Sequence, residues 1–423
     1  MESIGLLAIV TCILLTAAIS RRIKGTIFTL PMIYTVLGIL LGSLFLDLFP
    51  LLLEGGVVEL ISKLTLVIVL ATDASRIDVQ GIFRDHNLPM RLLAIGLPLT
   101  MIFGTIAAVL IFTDLNVWEA VVLGVILSPT DASLGQSVVS NPKVPLRVRQ
   151  ALNIESGLND GIALPFLLLA ISVAQSELIY HRPAQFIVSV GIQIGIGIVV
   201  GLVLGYLGVK YVRWGATSGW MSRNFQKITS LALILFVYGL ADLVGGNGFI
   251  AAFCLGLASR NVAGEKESEN LYDFAEAELT VFMLLTFILF GAVVVPPAVR
   301  AIDLNIVFYA ILSLTIVRLI PVAISLVGTK IQPVTTLFLG WFGPRGIASI
   351  LYIFIVLEAE NISGSNLIYN VVVVTVLLSI FVHGFTAAPG AAYYGKLMTK
   401  FAEEDHHHIE RKEVPEMPLR VHH

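Results

Sequence analysis

Thirteen stretches of this chain are apolar enough, and carry few enough charges, to cross a membrane. They run at about 3–20, 27–49, 57–73, 88–113, 117–139, 147–175, 185–208, 226–243, 247–259, 273–296, 304–328, 335–358 and 367–386. A spanning helix uses about 20 apolar residues. In lipid every backbone N–H and C=O has to be satisfied within the protein, so a chain built mostly of such stretches folds as a helical bundle. Composition closes the other routes. Charged residues make up 13 % of the 423, against about 25 % in soluble domains, and the mean hydropathy is +0.91. Disorder needs low hydrophobicity and high net charge, and the net charge here is −3. The expected fold class is an all-α polytopic membrane protein of about 13 transmembrane helices.

Basic residues set the expected orientation. With the N-terminus outside, the connections after odd-numbered segments, the segment starts that follow them and the tail hold 21 of the 26 lysines and arginines. The opposite connections hold only Arg182 and Arg300, and Lys63, Arg318 and Arg345 fall inside segments. That asymmetry satisfies the positive-inside rule. The first segment reads as a retained helix, because its basic cluster (Arg21, Arg22, Lys24) follows the apolar run and does not precede it. A membrane domain over 1–395 and a polar cytoplasmic tail over 396–423 are expected. Five of the eight histidines lie in the tail (His406, His407, His408, His422, His423), which reads as a solvated segment before it reads as a metal or pH sensor. Cys12 and Cys254, each inside an apolar run, read as small buried hydrophobes.

Ionisable groups inside spans cost about 2.5–3.5 kcal/mol each at the helix centre on insertion scales, so they point to function. Asp73 ends segment 3, Asp131 lies in segment 5, Glu155 and Asp160 in segment 6, Arg318 in segment 11 and Arg345 in segment 12. Asp242, Glu276 and Glu278 sit near span ends and read as interfacial. In segment 6, Glu155 and Asn159 are four residues apart, as are Ser156 and Asp160. Each pair stacks on a helix. The four side chains make an oxygen-rich patch suited to a hard cation or a proton. Arg318 needs a buried partner. Glu155 is the first choice, with Asp131 or Asp73 behind it.

Segment 5 carries Ser128-Pro129-Thr130-Asp131, and segment 12 carries Gly343-Pro344-Arg345-Gly346. Proline removes a donor and clashes with the preceding turn, so both helices are expected to break. Asp131 would then meet the positive end of a second half-helix in its own segment, and Arg345 would offset carbonyl ends at the second break. If segments 1–6 (about 3–175) and 8–13 (about 226–386) are repeats joined by segment 7 (185–208), each break falls in the fifth of six helices. An odd linker inverts one six-helix repeat relative to the other, and matched interruptions in inverted halves are the best sequence pointer to a transporter's midplane site.

Taken together, Ser128-Pro-Thr130-Asp131 and Glu155-Ser-Gly-Leu-Asn159-Asp160 resemble the monovalent cation/proton antiporters of the CPA1 type, the NhaP/NHE-like sodium/proton antiporters. Gly343-Pro-Arg345-Gly is similar to that family's Gly-x-Arg-Gly, and the resemblance runs over about 1–395. It implies an NhaA-like antiporter fold with two broken crossing helices, a homodimer, and an elevator-like core moving against a dimerisation domain. It implies that Asp160 binds sodium or a proton alternately, with Thr130 and Ser156 as further ligands, and Asp131 and Asn159 are read with them as ion-binding candidates. Glu155 and Arg318 would form an ion pair beside Asn159. Asp73 stands where archaeal relatives usually have a glutamate near the ion. One sodium, or lithium, would exchange for one proton without net charge movement, and no cofactor is needed.

Potassium/proton exchange on the same fold is the nearest alternative. An intramembrane hydrolase could draw on Ser133, Ser156, Asp131 and His383, but none of the usual nucleophile or zinc motifs is present. The Gly197-x3-Gly201-x3-Gly205 ladder of segment 7 permits close helix approach, either between protomers or within one.

Overall fold

The computed structural model describes residues 2–23, 26–47, 57–77, 87–131, 134–175, 183–263, 280–359, 362–404 and 410. Every one of the thirteen apolar segments contains helix. In chain order these are α1 (Glu2–Ile23), α2 (Leu30–Leu41), α3 (Val57–Ser75), α4 (Asn87–Ile111), α5a (Val117–Ile126), α5b (Gln136–Val139), α6 (Leu146–Gln175), α7 (Pro183–Thr217), α8 (Arg223–Leu243) and α9 (Gly248–Ala263). They continue with α10 (Thr280–Arg300) and α11 (Leu304–Ser325), then α12a (Pro333–Trp341), α12b (Ile347–Glu358) and α13 (Ser365–Glu404). Among the described residues, seven helices are long and apolar enough to cross a membrane. The protein is an integral membrane protein.

Local chemistry sets several of the starts. Asn116 Oδ1 accepts from Trp118 N and Glu119 N at 2.9 and 3.0 Å, and Glu119 returns a bond from Asn116 N at 2.9 Å. This reciprocal cap satisfies donors that a helix start otherwise leaves open. Glu119 also accepts from Ser363 Oγ and Gly364 N, at 2.9 and 2.8 Å, which ties the entry to α13 onto the start of α5a. Asp303 caps α11 by accepting from Ile306 N at 2.7 Å.

The glycine ladder packs inside one protomer. A methyl group on Gly197 would lie 2.7 Å from Asn247 O, one on Gly201 would collide with Ala251 O, and one on Gly205 would stand 2.9 Å from Ala258 Cβ. These residues border or lie in α9, so α7 and α9 meet backbone to backbone. On α7's other side Ile192, Val199 and Val203 are exposed, and Gly191 and Gly195 have open space beside them.

Several features go beyond the apolar pattern. A π-helical turn interrupts α4 at Leu92–Gly96 and another interrupts α10 at Phe290–Val294. In α11 the helix is disturbed at Thr315, which has φ −116° and ψ −94°. Such wide turns insert a residue without a residue signature. The last helix runs to Glu404, past residue 395 and through Pro389. Lys63 of α3 pairs with Glu358 at the end of α12b at 2.8 Å. Cys12 and Cys254 are buried free thiols. Asp242 is exposed at the end of α8. Ser133, Glu276, Glu278 and the five tail histidines lie outside the described residues.

Candidate functional site

Two broken helices meet at their breaks. Helix α5a ends at Ile126, two residues short of Ser128-Pro129; α12a ends at Trp341, and helix resumes only at Ile347. The two non-helical stretches are joined by a backbone bond from Asp131 N to Pro344 O at 2.8 Å. A helix end buried in apolar surroundings needs partners for its unpaired groups, and here each break supplies those of the other. Asp131 Oδ2 accepts from Ile347 N, the first N–H of α12b, at 2.8 Å. Arg345 Nη1 donates to Ser128 O and, at 3.0 Å, to Pro129 O. Ser349 Oγ donates to Ile126 O at 2.8 Å.

This differs from the local reading of the sequence. Asp131 caps the half-helix of segment 12, and Arg345 serves the carbonyl ends of segment 5. A carboxylate lies at a positive helix end and a guanidinium at a negative one, the favourable sense for both dipoles. Gly346 is required between them, because a side chain there would collide with Asp131 Oδ2. Arg345 is wholly buried, and its own N–H donates to Ser379 Oγ of α13 at 2.8 Å.

Helix α6 runs alongside. Glu155 and Arg318 form a buried two-point ion pair, with Arg318 Nη1 2.7 Å from Glu155 Oε1 and Arg318 Nη2 donating to Oε2 at 2.9 Å. Both residues are 1 % exposed. Of the three partners open to Arg318 from sequence, it takes Glu155. Gly343 makes room for this pair, since a methyl group there would lie 2.6 Å from Arg318 Nε.

One turn further along α6, Asn159 Nδ2 donates to Thr130 Oγ1 at 2.7 Å and to Thr130 O at 3.2 Å. Thr130 Oγ1 and Ser156 Oγ lie 3.1 Å apart. The bond to the main-chain oxygen fixes the non-helical stretch of segment 5 against α6. Asp160 is 8 % exposed, on the Ser156 face, and its main-chain oxygen accepts from Tyr352 of α12b at 2.6 Å. Asp73, buried at the end of α3, flanks the same stretch of α6: a methyl on Gly157 would stand 3.9 Å from its main-chain oxygen.

Thr130, Asp131, Glu155, Ser156, Asn159, Asp160, Arg318 and Arg345 thus gather around one crossing, with Asp73 at its edge. The polar atoms are two hydroxyls, an amide, main-chain carbonyls and carboxylates. This is an oxygen set for a hard monovalent ion or a proton and offers no soft ligand. Among the described residues no three His, Cys, Asp or Glu side chains come together as a resident-metal site.

A family profile described as sodium/hydrogen exchanger, transmembrane, matches residues 7–392. The chain belongs to this transmembrane sodium/hydrogen exchanger family. A probable Na(+)/H(+) antiporter of Schizosaccharomyces pombe is 27 % identical over 277 residues, covering 62 % of this chain and 36 % of that protein. The K(+)/H(+) antiporter NhaP of Alkalimonas amylolytica is 26 % identical over 410 residues, covering 93 % and 67 %. The chain spans 36 % of the first of these curated relatives and 67 % of the second. Among solved structures, the sodium proton antiporter MjNhaP1 from Methanocaldococcus jannaschii matches with a TM-score of 0.74 at 18 % identity, over 92 % of this chain and all of that one. The chain therefore shares the fold of that NhaP antiporter, as the sequence resemblance implied.

Sequence reading passed over Ser349, Tyr352 and Ser379 at this crossing and considered His383 only for a hydrolase. His383 Nδ1 lies 3.1 Å from Ser379 Oγ, behind the bond from Arg345 N. Their only signal was a polar group within an apolar helix a few residues from a break.

Proposed function

We propose that this chain exchanges a monovalent cation, sodium or lithium, for protons across the membrane, with Asp160 as the carboxylate that carries either one. The observation that supports this most is the Glu155–Arg318 pair. It neutralises the neighbouring acidic charge, so loading at Asp160 changes the charge of the cluster by one. A site that takes a proton or a sodium ion but never both couples the two fluxes by mass action. Thr130 and Ser156 supply neutral oxygens to the cation, and Asp73 flanks it. Asn159 holds Thr130 in place, and Asp131 and Arg345 serve as caps for the broken helices.

One sodium for one proton moves no net charge. Transport then runs by alternating exposure of the crossing to the two sides, with segments 5, 6 and 12 moving as an elevator body against the rest of a homodimer. The distribution of basic residues supports an outside N-terminus and a cytoplasmic C-terminus, and the membrane we assign is a prokaryotic plasma membrane. A potassium/proton exchanger is the second reading, favoured by the coverage of the Alkalimonas amylolytica relative across 93 % of this chain. The test is purified protein in liposomes holding a pH gradient, challenged with sodium, lithium and potassium in turn. Sodium and lithium are expected to collapse the gradient and Asp160→Asn to abolish the response. Full exchange by D160N removes the assignment.

A further inference from the structure

The cytoplasmic start of α12a lacks a cap of its own. Gln332 at the cap position makes no side-chain bond to it, and Pro333 follows. The missing acceptor comes from the tail. Glu410 Oε1 accepts from Gln332 N at 2.7 Å and from Thr335 Oγ1 at 3.1 Å. Thr335 Oγ1 also lies 2.9 Å from Tyr394 Oη of α13. Glu410 is 1 % exposed, and Thr335 and Tyr394 are as deeply buried. Arg147, in the first turn of α6, attracts the Glu410 carboxylate electrostatically. A carboxylate this buried is costly unless it is bonded and compensated. Here it has two donors, the positive end of α12a and a guanidinium.

We infer that Glu410 is a positioning residue, which sets the geometry of the cation site through α12a. The inference rests on the exchange reading above. Half-helix α12a is nine residues long, a rod of about 13 Å. One end is held by Glu410. The other leads into Gly343–Gly346, from which Arg345 holds the carbonyls beside Thr130. Arg147 opens the helix that carries Ser156, Asn159 and Asp160. Glu410 thus holds the start of α12a through two hydrogen bonds and draws on the Arg147 charge at the start of α6. Removing the Glu410 carboxylate frays α12a and loosens its hold on the crossing.

The test uses the full chain in liposomes. Cation-dependent collapse of a pH gradient is measured over a range of sodium, and amide hydrogen exchange is followed across residues 332–336. Losing a helix cap corresponds to about a fivefold change, so E410A and E410C are expected to raise the apparent KM about fivefold and to speed amide exchange. A thiol reagent that places a sulfonate on E410C restores both readouts, whereas one that places a trimethylammonium there does not. Wild-type KM and protection in E410A, or equal effects of the two reagents, overturn the inference. If E410A does not fold, Glu410→Gln keeps an accepting oxygen without the charge. It is expected to raise KM about twofold, and no change in it also overturns the inference. A wild-type protein that responds to no cation defeats the exchange reading instead, and the amide-exchange comparison still decides the clamp.

Discussion

The carboxylate of Asp131 lies 2.8 Å from the amide of Ile347, 216 residues further along the chain. One broken helix is therefore finished by a side chain from the other. Arg345 returns the favour to Ser128 and Pro129, so the two breaks form one unit.

Asp131→Ala removes the cap and leaves a buried N–H unpaired, at a cost of about 1–3 kcal/mol. Asp131→Asn keeps an accepting oxygen and is expected to lose less. Gly346→Ala, which drives a methyl group into Oδ2, should resemble D131A. Thermal unfolding of the three variants in detergent gives the ranking, and D131N as unstable as D131A contradicts it.

Breaking the Glu155–Arg318 pair from one side strands a buried charge. Arg318→Met alone is expected to cost about 3–5 kcal/mol. Glu155→Leu combined with Arg318→Met should recover most of that loss, because two apolar side chains of similar volume need no compensation. A double-mutant cycle on unfolding temperature checks it. Additive losses would mean that the pair is not an energetic unit.

Proton and cation compete at one group in the proposed mechanism. As pH falls, the apparent KM for sodium should rise in proportion to proton concentration while the maximal rate at saturating sodium holds. Initial rates across a pH series at several sodium concentrations provide the measurement. A KM independent of pH is incompatible with a shared site.

Exchange of one sodium for one proton should ignore membrane potential. A net charge moved would feel about 2.3 kcal/mol per 100 mV. Liposomes with and without a potassium diffusion potential are expected to reach the same sodium distribution. A shift with potential would require unequal charges.

Gly201→Val places a branched side chain against Ala251 O and should destabilise the α7–α9 contact by about 1–3 kcal/mol. Gly191→Val enters open space and should be near neutral. Equal effects would show that the ladder's position on α9 does not matter.

The sequence made the membrane segments, the two breaks and the α6 cluster legible, because each is visible within one or two turns. Glu155 to Asn159 and Ser156 to Asp160 are spacings that a helix turns into contacts, and prolines mark breaks wherever they fall in an apolar run. Partners far apart in sequence were less legible. Asp131 and Arg345 were each assigned to their own segment because local rules pair a charge with the nearest helix end. The ladder Gly197, Gly201 and Gly205 signalled a close approach, but spacing on one helix does not name the other. The π-helical turns in α4 and α10 left no trace, since an inserted residue needs no special side chain.

Reciprocal capping limits how this protein can be rebuilt. A chimera that takes residues 117–139 from one exchanger and keeps 333–358 from another is safe only if both donors carry the same pair of opposite charges. Otherwise a carboxylate is orphaned in one half and a guanidinium in the other, each far from water. Grafts of cation preference between exchangers should therefore move both stretches as a set.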